Sequence, residues 1–360
     1  MRVVIRVDAS LELGTGHVMR CLALAGRLRL RGATVSFICR EHDGHLCNVI
    51  EQRGFTVGRL PASEGAGECE SCNGRDGLGV AWQTDAAQSA AIIQTWGEAV
   101  DLLVVDHYAL DEHWERALRA RARRIFVLDD LADRRHACDL LLDQNLHDSP
   151  DSRYAKLVEG STRVFVGPHY ALLRPEFDSA TPRTRNSGLR HLLAFFGGTD
   201  PSGETLKVVN AVRALGADAP ACVVVLGPIN PRADEIRQAA AGQPGVTVLG
   251  MTNEMSRLMS DADLGIGTCG GAAWERCVLG LPSLVVVNAP NQRDDARILH
   301  SLGAVRNLGD TSATNAAGWA SEIRALRDDP QALSSMSQAA AAVMSGRKQA
   351  MQDLEAALLG

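Results

Sequence analysis

The sequence predicts an α/β protein built as two doubly wound, parallel-sheet domains that face each other across a cleft. Three observations carry that expectation. Short apolar runs alternate with helix-patterned stretches almost throughout, as parallel strands joined by crossover helices require. The pattern breaks at the polar, turn-rich segment Thr181-Pro-Arg-Thr-Arg-Asn-Ser-Gly188 and then starts afresh. A length of 360 residues accommodates two domains of ordinary size, each with its own core.

In the N-terminal domain, residues 1–182, strands are expected at 3–8, 34–39, 102–106, 124–129, 140–143 and 164–167. The C-terminal domain, residues 188–345, opens with the strand His191-Leu-Leu-Ala-Phe-Phe196 and continues with strands at 222–226, 246–249, 263–266 and 283–287. Residues 331–359 read as helical and alanine-rich, and 346–360 are expected to pack back on the N-terminal domain. Residues 62–80 read as an irregular surface insertion; its Cys69-Glu-Ser-Cys72 has no second pair that would complete a zinc site.

The formal net charge is −6, and no basic cluster is long enough to track a phosphate backbone, so nucleic acid is not an expected partner. No apolar stretch has the length of a membrane span, and Met1 runs directly into a strand without a leader pattern. A cytoplasmic, monomeric protein is expected. Of nine cysteines, Cys21, Cys39, Cys138, Cys222 and Cys277 sit inside strand or helix patterns, as reduced buried thiols do.

The chemistry-bearing residues gather where strands end. Gly14-Thr15-Gly16-His17 places a histidine between the first strand and the first helix, with glycines that let the backbone approach a ligand. A dinucleotide fingerprint would want a small residue at position 19 and an acid near position 39, where Met19 and Cys39 stand. Asp106-His107-Tyr108, Asp129-Asp130 and Asp143-Gln144-Asn145 each close an apolar strand with polar groups, which points to one polar cleft. In the second domain Gly197-Gly198-Thr199-Asp200 precedes a helix expected near Pro201-Ser202, whose backbone amides suit a phosphate. Gly265-Ile-Gly267-Thr-Cys-Gly270-Gly271 leads into a helix carrying Glu275, a fitting acceptor for ribose hydroxyls, and Asn291-Gln292 supply amides on the same rim. His42 and His45 read as solvated rather than as a metal pair. Neither a Gly-x-x-x-x-Gly-Lys-Ser/Thr loop nor a Gly-x-Ser-x-Gly elbow occurs, which disfavours kinase-type and serine-hydrolase chemistry.

Taken together, Gly14-Thr-Gly16-His17-Val-Met-Arg20, Val105-Asp106-His107-Tyr108, Asp129-Asp130, Tyr170-Ala-Leu-Leu-Arg174-Pro-Glu-Phe177, Gly197-Gly198-Thr199-Asp200 and Asn291-Gln292 resemble the UDP-sugar hydrolases of pseudaminic acid biosynthesis, in order over about the first 300 residues. That family cleaves UDP-2,4-diacetamido-2,4,6-trideoxy-β-L-altropyranose to the free sugar and UDP, on two Rossmann-like domains of the GT-B glycosyltransferase type. The resemblance implies that His17 is the general base that activates water. It places Gly16, Tyr108, Asn145, Arg174, Asn291 and Gln292 around the sugar, and Gly198, Thr199, Gly270, Gly271 and Glu275 around the UDP. Such a reaction needs a positioned base and an anion site, neither a metal nor a redox cofactor, and direct attack by water inverts the anomeric centre. The alternatives are a GT-B glycosyltransferase with a UDP-sugar donor and a non-catalytic nucleotide-sugar binding protein.

Overall fold

The computed structural model describes residues 1–62, 77–97, 99–186 and 188–360. The pair Cys69 and Cys72, with most of the insertion expected at 62–80, lies outside them. The chain divides into two units, Met1–Pro175 with Arg347–Gly360, and Glu176–Gly346.

The first unit runs β1 (Arg2–Val7), α1 (Gly16–Leu30), β2 (Thr34–Arg40), α2 (Cys47–Gln52), β3 (Thr56–Leu60), α3 (Trp82–Thr95), β4 (Val100–Asp106), α4 (Glu112–Leu118), β5 (Ala122–Leu128), β6 (Leu140–Asp143) and β7 (Arg163–Val166). Its seven strands among the described residues are all parallel, in the order β3-β2-β1-β4-β5-β6-β7, with Val3 opposite Leu102 and Val7 opposite Asp106. Side chains alternate across the pleat. Val3, Ile5 and Val7 join a core with Leu24 and Leu28 of α1, while Val4 packs on the other face with Leu103, Val105 and Trp114.

Arg6 shares the face of Val4, so a charge enters the interior and has to be matched there. Its guanidinium is bidentate to Asp8 at 2.6 and 2.8 Å and to Asp85 of α3 at 3.1 and 2.7 Å. Arg40 completes the set, donating to Asp85 at 2.7 Å through its side chain and to Asp8 at 2.7 Å through its backbone N–H. All four side chains are fully buried.

The second unit runs β8 (His191–Phe195), α5 (Glu204–Leu215), β9 (Ala221–Val225), α6 (Ala233–Ala240), β10 (Val246–Leu249), α7 (Met255–Asp261), β11 (Leu264–Thr268), α8 (Gly271–Val278), β12 (Ser283–Val287), α9 (Arg293–Ser301), β13 (Val305–Asp310), α10 (Ala316–Arg327) and α11 (Pro330–Val343). Its six parallel strands take the order β10-β9-β8-β11-β12-β13. The division between the units falls before residue 176, earlier than the 182–188 expected from composition. The polar segment is tied to the second unit by its arginines. Arg183 meets Asp263 at 2.5 Å, and the buried Arg185 donates to the carbonyls of Met259, Ala262, Leu279 and Gly280.

The helical tail breaks at Gly346 (φ +82°), and α12 (Arg347–Leu359) joins the first unit. Met351, Leu354 and Leu358 enter the core beside α1, and Arg124 caps the helix by donating to the carbonyls of Ala357 and Leu358 at 2.8 and 2.6 Å.

One close approach fixes the turn after β8. A Cβ on Gly227 would stand 2.2 Å from the carbonyl oxygen of Gly198 and 2.3 Å from that of Gly197. Gly227→Ala is therefore expected to cost about 1–3 kcal/mol in urea unfolding, because backbone, unlike a side-chain tip, has no cheap way to yield. An unchanged midpoint would show that the turn moves freely.

Candidate active site

Each sheet has one place where the strand order reverses, and in open parallel sheets ligands bind outside the carboxyl ends of strands there. In the first unit it lies between β1 and β4. The loop after β1 is shaped by Ser10, whose hydroxyl accepts the N–H groups of Glu12 and Leu13, and by Gly14 at φ +75°. It delivers His17 as the second residue of α1, while β4 ends on Asp106 and hands over to Tyr108.

These residues meet. His17 Nδ1 lies 2.6 Å from Asp106 Oδ1. Arg20, one helical turn after His17, grips the same carboxylate through Nε at 2.7 Å and Nη2 at 2.6 Å, and reaches Asp130 through Nη1 at 3.0 Å. The Cys21 thiol donates to Asp106 Oδ2. Burial opposes ionisation of Asp106, but Arg20 and then His17 outweigh it and hold the carboxyl well below its usual range. An ionised carboxylate only accepts, so the neutral tautomer that satisfies this contact carries its proton on Nδ1 and presents Nε2 bare; Arg20 Nη2 stands 3.1 Å from the same Nδ1. The Tyr108 ring stands edge-on to the imidazole, 4.5 Å between centroids. Burial, and then Asp130, push its phenol well above the ordinary value, so the hydroxyl keeps its proton.

Of the other residues expected here, Gly16 opens α1 and Asn145 follows β6, where its N–H donates to Asp143. Arg174 lies at the end of the unit's continuous segment. Asp129 is committed elsewhere, accepting from Tyr154 and the N–H of Ala132. His42 is not solvated as expected: its Nε2 is buried 3.5 Å from Asp8 Oδ2, because β2 ends beside β1. His107 faces the same oxygen at 3.3 Å. Ala109 N–H donates to its Nδ1, and burial, partly offset by Asp8, holds the ring below its ordinary pKa. Among the described residues no group of three or more His, Cys, Asp or Glu is arranged to hold a metal ion.

In the second unit the order reverses between β8 and β11, so the two glycine-rich turns flank that point. They are not equivalent. After β8 the helix begins at Glu204, later than expected, and Asp200 (φ +45°) accepts the N–H groups of Glu204 and Thr205, both at 2.9 Å. The amides read as a phosphate site thus have an internal occupant, and what Gly198 and Thr199 offer is turn backbone. After β11, α8 starts at Gly271 with Gly270 as its cap residue and no side-chain cap. The N–H groups of Gly271 and Ala272 and the positive end of its dipole are left for an anion, while that of Ala273 donates to the Gly270 carbonyl at 2.7 Å. Glu275 lies one turn in and is buried. Asn291 and Gln292 close a short turn after β12, and the Gln292 amide stands 3.4 Å from where a Cβ of Gly270 would be.

Sequence reading saw the strand-end acids but not the Asp106–Arg20 clamp on His17. An arginine three residues after a histidine, on one helix face, is the signal that was there to use.

Residues 192–354 match the family model of the glycosyltransferase family 28 C-terminal domain. The chain is 26% identical over 303 residues to the uncharacterized protein MJ1062 of Methanocaldococcus jannaschii (82% of this chain, 57% of that one). It is 30% identical over 161 residues to the spore coat polysaccharide biosynthesis protein SpsG of Bacillus subtilis (44% and 48%). It is 28% identical over 211 residues to the UDP-2,4-diacetamido-2,4,6-trideoxy-β-L-altropyranose hydrolase of Campylobacter jejuni (58% and 65%). The matches thus span roughly half to two thirds of these relatives' lengths. Among solved structures, Acinetobacter baumannii MurG aligns over 99% of both chains with a TM-score of 0.63 at 15% identity. Arabidopsis thaliana UGT89C1 complexed with UDP does so at 0.66 and 14%. The fold is that of GT-B glycosyltransferases, and the chain is a relative of the Campylobacter hydrolase and of SpsG, as its motifs indicated.

Proposed function

We propose that this chain hydrolyses a UDP-sugar, UDP-2,4-diacetamido-2,4,6-trideoxy-β-L-altropyranose, to the free sugar and UDP. The observation that carries the reading is the His17–Asp106 pair at the switch point of the first sheet, with Arg20 clamping the acid. His17 Nε2 takes a proton from water as the oxygen attacks the anomeric carbon. The bond from that carbon to the diphosphate oxygen breaks, and the electron pair leaves on UDP. Attack opposite the leaving group inverts the anomeric centre. The uncapped amides of α8 suit the departing charge, and Glu275 suits the ribose hydroxyls. Tyr108, Asn145, Arg174 and Gly16, with Asn291 and Gln292, are assigned to the sugar. The similarity to the Campylobacter hydrolase supports the substrate.

The match to a glycosyltransferase domain favours one second reading, transfer of the sugar to an alcohol activated by the same histidine. Both are tested by incubating the protein with this nucleotide sugar in EDTA and following the anomer by proton NMR. The expected result is UDP release without any acceptor, giving the inverted anomer first. UDP release that waits for an added alcohol points to transfer, and retention of configuration overturns direct attack by water.

A further inference from the structure

Most buried arginines of this chain are matched by acids: Arg6 and Arg40 by Asp8 and Asp85, Arg20 by Asp106 and Asp130, Arg134 by Asp129. Arg185 has no acid but is saturated by backbone carbonyls. Arg276 on α8 has neither. It is 3% exposed and makes one hydrogen bond, from Nη2 to the Thr268 carbonyl at 2.7 Å, while its buried Nε has no partner. No acid among the described residues lies within ion-pair distance of it. Burial pulls this guanidinium below its ordinary range, against the weaker opposing pull of Cys269, Cys277 and Glu275.

The fold nevertheless makes room for it. Helix side chains lean toward the N-terminus, so Arg276 reaches back under the turn that begins α8. A Cβ on Gly265 would stand 2.7 Å from its Cδ, and one on Gly267 3.0 Å from Nη1. Two positions of β11 thus go without side chains beside a charge that no acid among the described residues pairs.

We propose that Arg276 is a binding residue for the diphosphate of the nucleotide, a buried counter-charge standing behind the uncapped N-terminus of α8. This rests on the UDP-sugar reading above and adds the residue that distinguishes a nucleoside diphosphate from a nucleoside. An unmatched buried cation is costly in the empty protein, and an anion at the helix end offsets that cost on binding. Two independent features therefore point at one anion: free amides at the helix start, and a cation with unused donors just beneath.

The test is calorimetric binding of UDP and of uridine to the full chain, wild type against Arg276→Met and Arg276→Lys, with thermal midpoints of the unliganded proteins. In Arg276→Met, UDP is expected to weaken roughly tenfold to a hundredfold while uridine is unchanged, and the unliganded midpoint is expected not to fall. Arg276→Lys keeps part of the preference for UDP and serves alone if the methionine variant does not fold. An undiminished ratio of UDP to uridine affinity with a lowered midpoint makes Arg276 a brace for Thr268 and overturns the proposal. If wild-type protein binds neither ligand, the nucleotide reading itself falls.

Discussion

Asp106→Asn is expected to lower turnover of the nucleotide sugar by about 10²–10⁴-fold while leaving the protein folded. The wild-type carboxylate can only accept a hydrogen bond, which fixes the His17 proton on Nδ1 and leaves Nε2 basic. An amide in its place can turn its NH2 toward Nδ1, and the ring then carries its proton on Nε2, where it is no base at all. Arg20 does not rescue the arrangement, since it only donates. His17→Ala should fall at least as far. The double variant should be little worse than His17→Ala, because the two residues act as a unit. KM should move less than kcat in all three, since the residues assigned to UDP lie on other elements. Steady-state kinetics alongside urea midpoints decide the matter: normal kcat in Asp106→Asn with a dead His17→Ala would mean that the base needs no partner.

The choice of Asp106 over Asp8 shows what sequence conceals. Both acids end apolar strands, and Asp8 is much nearer His17 in the chain. Pairing follows from sheet order, which puts β4 directly beside β1, and from Arg6, which takes Asp8 for itself two residues earlier. The first is invisible without knowing which strands are neighbours, whereas Arg6 and Asp8, two residues apart on one strand face, could be paired from the sequence.

The interior strands were legible because both faces are buried and they read as continuous apolar runs. β3 and β13 were missed for their composition, since the other two edge strands, β7 and β10, were read from their apolar residues. In β3, Arg59 points outward to Glu41 and Glu51, and the sequence Thr-Val-Gly-Arg-Leu carries little apolar signal. β13 is Val-Arg-Asn-Leu-Gly-Asp, and only Val305 in it is buried. Asp200 was legible as a cap and went unused. An acid shortly before a helix is a capping signal, and the glycines around it drew the reading toward a ligand.

Asp85→Ala is expected to lower the stability of the first unit by about 3–5 kcal/mol, the largest effect of any single substitution outside the active site. It removes the acid that Arg6 grips through two donors, Arg40 through one, and the Trp114 indole N–H at 3.0 Å. Arg40 retains the Pro61 carbonyl and Gln88, and Arg6 retains Asp8, so two buried cations are left sharing one acid. The loss should depend on pH. Burial opposes ionisation of both Asp85 and Asp8, yet Arg6, helped by other donors, holds both carboxyls lower than in an unfolded chain. Their contribution is therefore complete above the unfolded carboxylate value of about 4 and drains away as pH falls toward the folded values. Urea unfolding at pH 7 should separate wild type from the variant by the full amount, and the gap should narrow below about pH 4. A gap that is small at pH 7, or constant down to pH 3, would mean that the cluster fixes the end of β1 without stabilising it.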